Sequence, residues 1–153
     1  MTEITEEYGR PVGGYLRIMA AYGGAVTAAA ALAVFLGKKP PERIGVLDLF
    51  LMGVSTHRMS RTLAKDSVTS PLRAPFTRFD GVSGPAELKE EPRGAVGELV
   101  ACPFCLAQWV ATAYAVGLVF APRLTRLAGS TMTAVAVSDW LQLGYAKLMK
   151  EAE

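Results

Sequence analysis

The residues whose types and spacing come nearest to chemistry are Cys102-Pro103-Phe104-Cys105. Cys102 as an N-cap with Pro103 at the first helical position opens a helix that runs on through Leu106 to Ala121. Both thiols then lie at the positive end of its dipole, where a nucleophilic thiolate is favoured. Thiol–disulfide exchange is one use of that turn, with Cys102 and Cys105 as the catalytic pair. Membrane relays of this kind usually employ a second cysteine pair, and this chain has two cysteines in all. Metal binding is the rival use. A closed zinc site takes four ligands, so Cys102 and Cys105 would need His57, the lone histidine, and then Asp66, Glu98 or a second copy of the chain. The third use is structural, two small side chains that permit a tight, kinked helix start. The spacing demands no cofactor, zinc being the one it would admit.

His57, Arg58, Arg61, Arg73 and Arg78 form a second constellation. Arginine forks bind oxyanions bidentately and histidine adds a donor, which suits a phosphate or an anionic lipid headgroup. The same residues equally serve as positive anchors on the inner side of a membrane. A third feature is Asp139, near the middle of an apolar stretch, where a carboxylate should be paired, protonated or turned inward. Gln142 shares its face, and counting inward from the preceding loop puts Gln108 and Thr112 at matching depths. A polar seam follows between the last two helices, acting as an interhelical hydrogen-bond lock or as a proton or ion path.

The elements that must position these residues are written in blocks. At 153 residues the chain is one domain by length, and 51% of it is hydrophobic with only 8% aromatic residues. Small apolar residues in blocks suit helices that pack backbone to backbone in lipid. Four helices are expected, over 15–36, 44–63, 99–121 and 129–148, with a connector over 64–98. The first and third would each cover about 28 Å from Ile18 and from Pro103, close to the hydrocarbon core. Gly37-Lys38-Lys39-Pro40-Pro41 ends the first helix, and Glu3, Glu6 and Glu7 argue against a cleaved signal peptide. The second helix turns polar from Ser55 onward, and Asp48 suits its N-terminal turn. Pro71, Pro75, Pro85 and Pro92 exclude a continuous helix from the connector, whose Arg73, Arg78, Lys89 and Arg93 alternate with Phe76 and Phe79 as if lying on headgroups.

The expected fold is therefore an all-α integral membrane bundle of three to four transmembrane helices with a basic cytoplasmic connector. With the N-terminus inside, eleven lysines and arginines fall on the inner side and five (Lys38, Lys39, Arg43, Arg123, Arg126) outside. Both termini, the connector and the CPFC turn would face the cytoplasm from a bacterial inner membrane. The net charge of +2 says nothing for nucleic acid, and none is expected as a partner. Membrane lipids, a partner protein or a homo-oligomer are, the last allowed by Gly23-Gly24 and Ala28 to Ala31.

Three motifs in order carry a family resemblance: Thr56-His57-Arg58-Met59-Ser60-Arg61, then Asp66 to Phe76 (DSVTSPLRAPF), then Glu98 to Trp109 (ELVACPFCLAQW). They closely resemble the bacterial membrane family catalogued as domain of unknown function 1360, over roughly Ile44 to the C-terminus. Ala107-Gln108 stands where a glycine is common in that family. The resemblance implies a small multi-pass inner-membrane protein, in a family with some sporulation-associated members, and no established activity. The CPFC turn is also similar, over four residues, to glutaredoxin-type redox turns. The reading reached is a non-enzymatic membrane protein whose cytoplasmic face binds a partner protein or anionic lipid. A membrane thiol–disulfide oxidoreductase and a zinc-stabilised assembly module are the alternatives.

Overall fold

The computed structural model describes residues 9–152. Its first element, α1, runs Val12–Phe35. The helix ends where the sequence signals it: Gly37 turns left-handed at φ 63°, the Lys38 amide reaches back to the Ala33 carbonyl at 2.8 Å and the Gly37 amide to Val34 at 3.0 Å. That is a Schellman closure, which satisfies carbonyls the helix end leaves open. After an extended link comes α2, Val46–Lys65. A 3-10 turn at Ser67–Thr69 and the single-turn helix α3, Ser70–Arg73, follow.

The next stretch departs from expectation. Residues 77–92 form an antiparallel hairpin, β1 Thr77–Gly84 and β2 Glu87–Pro92, turning at Pro85-Ala86. A register shift between Phe79 and Gly81 is absorbed by Gly81 at φ 136°, a conformation L side chains rarely adopt. The prolines that exclude a helix flank the strands instead of interrupting them. Nor is the connector basic: over 64–98, Lys65, Arg73, Arg78, Lys89 and Arg93 face Asp66, Asp80, Glu87, Glu90, Glu91 and Glu98. Cross-strand pairs Arg78–Glu91 and Asp80–Lys89, each at 2.6 Å, hold the strands in register.

Helix α4 spans Gly94–Ala101 and α5 Pro103–Phe120, so the expected helix over 99–121 is broken at Cys102. The backbone there is extended (φ −106°, ψ 108°) because the residue before a proline is driven out of the helical region. Helix α6 begins directly at Pro122 and continues to Glu151, 30 residues, with no separate loop over 122–128.

Among the described residues, α1 and α5 are the two helices long and apolar enough to cross a membrane. Helices α2 and α6 fall short, diluted by Ser55 to Arg61 in one and by Arg123, Thr125, Arg126 and the polar C-terminal turns in the other. The expected all-α bundle of three to four membrane spans is thus corrected to a mostly helical chain with two such helices and a charged hairpin.

Helix α1 runs beside α5 in one direction, Tyr15 meeting Glu98 and, seven residues on, Tyr22 meeting Gln108 and Thr112. Helix α2 carries the chain back, packing on both α5 and α6. Its Leu51 and Met52 join Tyr114 and Leu118 in the core. Close approach of α5 and α6 rests on glycine: a Cβ on Gly129 would lie 2.5 Å from the Tyr114 hydroxyl oxygen, and one on Gly117 2.5 Å from Thr125 Oγ1. Apolar side chains are exposed at both ends of the molecule: Val34, Phe35 and Val46, at the α1 C-terminus and the α2 N-terminus, are 80–86% exposed, and Phe104 in the CPFC turn is 90% exposed.

Candidate functional site

The opposite end carries the chemistry, and the sequence-predicted residues divide there into two places. Between the C-terminal half of α2, the hairpin turn and α6 lies an open cleft of about 660 Å³, lined among others by His57, Arg58, Arg61, Asp66, Glu87 and Asp139. Arg58 projects from α2 between two carboxylates. Its Nη2 donates to Asp66 Oδ2 at 3.2 Å, while its Nε lies 3.0 Å from Asp139 Oδ2, an ion-pair distance without hydrogen-bond geometry. Arg61, one helical turn on, donates to Glu87 at the start of β2. Trp140 forms a wall with His57, ring centroids 6.4 Å apart and tilted by 47°.

Asp139 accordingly needs no buried relay. It sits part-exposed on α6 with Arg58 as counter-ion. Gln142 lines the same cleft and donates to Ser138 Oγ at 3.3 Å. Gln108 and Thr112 are elsewhere: Gln108 Nε2 donates to the Tyr22 hydroxyl at 2.8 Å, that hydroxyl lies 2.6 Å from Thr112 Oγ1, and Thr112 donates to the Gln108 carbonyl at 2.8 Å. The expected four-residue seam is therefore two separate contacts, one to α1 and one to α2. Depth counted from the loop cannot tell which neighbour a helix face meets.

Arg73 leaves the anion-binding set altogether. It is 2% exposed, its Nε donating to Glu90 Oε2 at 2.6 Å, Nη1 to the Leu63 carbonyl and Thr69 Oγ1 at 2.7 Å each, and Nη2 to the Asp66 carbonyl at 3.1 Å. Those carbonyls close the C-terminal end of α2 and the turn after it, so one guanidinium ties helix, turn and hairpin together. Arg78 lies out on the hairpin with Glu91.

Two pairings escaped the sequence reading. Asp48 lies in the first turn of α2 but is gripped bidentately by Arg126 of α6, at 2.7 and 2.9 Å. The hydrogen bonds from Arg126 hold its carboxyl below the ordinary carboxylate range, ahead of the opposing effect of burial, and the same contact raises the Arg126 guanidinium. On the hairpin, the hydrogen bond to Asp80 raises the Lys89 ammonium. The available signal for the first pair was opposite charge close to the start of each helix, Asp48 in α2 and Arg123 and Arg126 in α6, a pattern expected of neighbours that begin at the same level.

The thiols form the second place. Cys102 caps α5, its Sγ accepting from the Cys105 amide at 3.3 Å, and both cysteines are free. Cys105 borders a separate apolar cavity facing α1, whereas His57 faces the cleft. The structure does not bring His57 to the thiols, and among the described residues no group of three or more His, Cys, Asp or Glu is arranged to hold a metal ion.

The class of protein this defines is a small, mostly helical one with two helices long and apolar enough to cross a membrane beside a charged, hairpin-edged cleft. The chain belongs to the family described as "Protein of unknown function (DUF1360)", whose sequence profile matches residues 51–145, from within α2 to within α6. It is similar to the UPF0713 protein YngL of Bacillus subtilis (strain 168), 23% identical over 86 residues, which cover 54% of this chain and 66% of that protein. The chain thus spans just under two thirds of that relative's length. No solved structure matches it.

Proposed function

We propose that this is a membrane-embedded binding protein, held in the bilayer through α1 and α5, whose cleft between α2, the hairpin and α6 takes a zwitterionic phospholipid headgroup. The charge balance of the cleft carries this reading. Arg58 and Arg61 are already matched by Asp66, Asp139 and Glu87. A purely anionic headgroup would displace a carboxylate and leave it unpaired. A ligand with both phosphate and ammonium exchanges one internal pair for two external ones: phosphate on Arg61, more exposed than Arg58, and ammonium on its released partner Glu87, in the cleft that Trp140 also lines.

Position supports the same ligand. Leu51 packs with Tyr114, and the seven residues from Leu51 to Arg58 cover roughly 10 Å of helix. The cleft is then level with the first turns of α5, where headgroups meet a helix lying in lipid. The excess of lysine and arginine at this end favours its cytoplasmic side.

Titration of the detergent-solubilised Trp109→Phe variant, with Trp140 as sole indole, tests the site. A short-chain phosphatidylethanolamine should give a saturable fluorescence shift that phosphatidylglycerol does not, and Arg61→Ala should abolish it. Equal responses to the two lipids, or none, would overturn the headgroup assignment and leave a partner protein as the occupant. Embedding is tested separately: the protein should stay in alkaline-carbonate-washed membranes, and release into the wash would refute it.

A further inference from the structure

The smaller cavity, about 360 Å³, lies on the other side of α5 from the cleft. Its walls are Tyr15, Ile18 and Met19 of α1, Glu98 and Leu99 of α4, and Cys105. We infer that it is the site of a membrane quinone, which accepts two electrons from the Cys102–Cys105 dithiol. This rests on the embedding of α1 and α5 and is independent of what fills the cleft.

Three observations converge. The cavity is apolar apart from the Tyr15 hydroxyl, which donates to the Glu98 carboxylate, itself 3.3 Å from Arg10 Nη1. A site lined by apolar side chains with a few fixed polar groups, at the lower end of ligand-pocket volumes, suits one aromatic head with oxygens at its edge. It opens along α1, where Met19 is 67% exposed, so the ligand arrives from the apolar phase. The third is the thiol pair itself. Cysteines one helical turn apart have Cβ atoms about 5–6 Å apart. Closing to the disulfide range near 4 Å requires movement only at Cys102, which stands outside the helix in extended backbone.

The Cys105 sulfur, its proton drawn off by Glu98, adds to a ring carbon, forming an S–C bond. The Cys102 thiolate then attacks the Cys105 sulfur, making the S–S bond and breaking the S–C bond, whose electron pair stays on the ring. Two thiols and one quinone become one disulfide and one quinol. Glu98 takes a thiol proton and Tyr15 hands one to a ring oxygen, so that both thiol protons end on the quinol oxygens. No second cysteine pair is required, since the acceptor is the quinone itself.

The test uses the full chain, pre-reduced in detergent without oxygen and mixed with a short-chain benzoquinone or naphthoquinone. Quinol is read by absorbance and thiols by mass-tagged alkylation. One quinol should form per chain with loss of two thiols. Cys105→Ser should abolish the reaction, and Cys102→Ser should trap the quinone adduct on Cys105, visible as added mass. Tyr15→Phe should slow it about 100-fold while diamide still oxidises the dithiol at the unchanged rate. Met19→Trp, which fills the cavity and keeps both thiols, should slow it similarly, and it decides the matter if a cysteine variant fails to fold. If the quinone oxidises the protein no faster than a free Cys-Pro-Phe-Cys peptide, the cavity has no part in the reaction and the assignment falls.

Discussion

The two places at the CPFC end of this molecule are built on opposite terms. On the α2–hairpin–α6 side the arginines Arg58, Arg61, Arg73 and Arg78 each have a carboxylate, among Asp66 and Asp139, Glu87, Glu90 and Glu91. On the α1–α4–α5 side a single Arg10–Glu98–Tyr15 chain borders apolar walls and two free thiols. A run of arginines is therefore not a basic surface. Charge reaches a ligand only when the fold leaves it unspent, and here the fold spends it on attaching the hairpin.

Arg73 should show the largest effect. Replacing it by Ala leaves Glu90, whose side chain is 6% exposed, buried without a counter-ion and strips hydrogen bonds from the end of α2. Chemical denaturation in detergent should show a loss of about 3–5 kcal/mol, and Arg73→Lys should not recover it, since an ammonium lacks the fork. A loss below 1 kcal/mol would mean that the hairpin is held by other contacts. Gly129→Ala probes the apolar packing instead. Its Cβ would meet Tyr114 Oη at 2.5 Å and the ring at 2.7 Å, so thermal unfolding should report about 1–3 kcal/mol of destabilisation. Tyr114→Phe should relieve only part of that, because the ring contacts remain.

Asp48 gives a smaller, pH-dependent effect. Its folded carboxyl lies below the ordinary value near 3.9, so its contribution is fully present above about pH 4 and is lost as the pH falls through the lower folded value. Wild-type stability should decline there more steeply than that of Asp48→Asn, and parallel curves would deny the pair any role. The smallest effect belongs to Arg78. It and Glu91 are more than half exposed, and Arg78→Ala should change stability by under about 1 kcal/mol. A larger loss would erase the distinction between spent buried charge and surface charge.

Not all of this was hidden in the chain. The stop of α1 at Gly37, the start of α5 at Cys102-Pro103 and the expected apolarity of those two helices were readable, and so was membership in the family. The hairpin was not. Its strands are short, charged and rich in glutamate, a composition disfavoured in strands, and what fastens them to the helices is the buried Arg73–Glu90 pair, whose burial no local pattern announces. The seam predicted for Asp139, Gln142, Gln108 and Thr112 failed because α6 has α2, not α5, opposite its polar face.

What the sequence determined by itself was local: the stop of α1 and the start of α5, since proline, glycine and N-cap residues act within a turn, and the apolarity of those two helices, since composition is a sum along the chain. What only the tertiary structure decided was which charge meets which. Asp48 finds Arg126 and Arg58 finds Asp139 across 78 and 81 positions respectively, pairings that arise only when α2 and α6 are laid side by side. Whether an arginine is a binding group or a structural bolt depends on that distance in space, and no spacing in sequence encodes it.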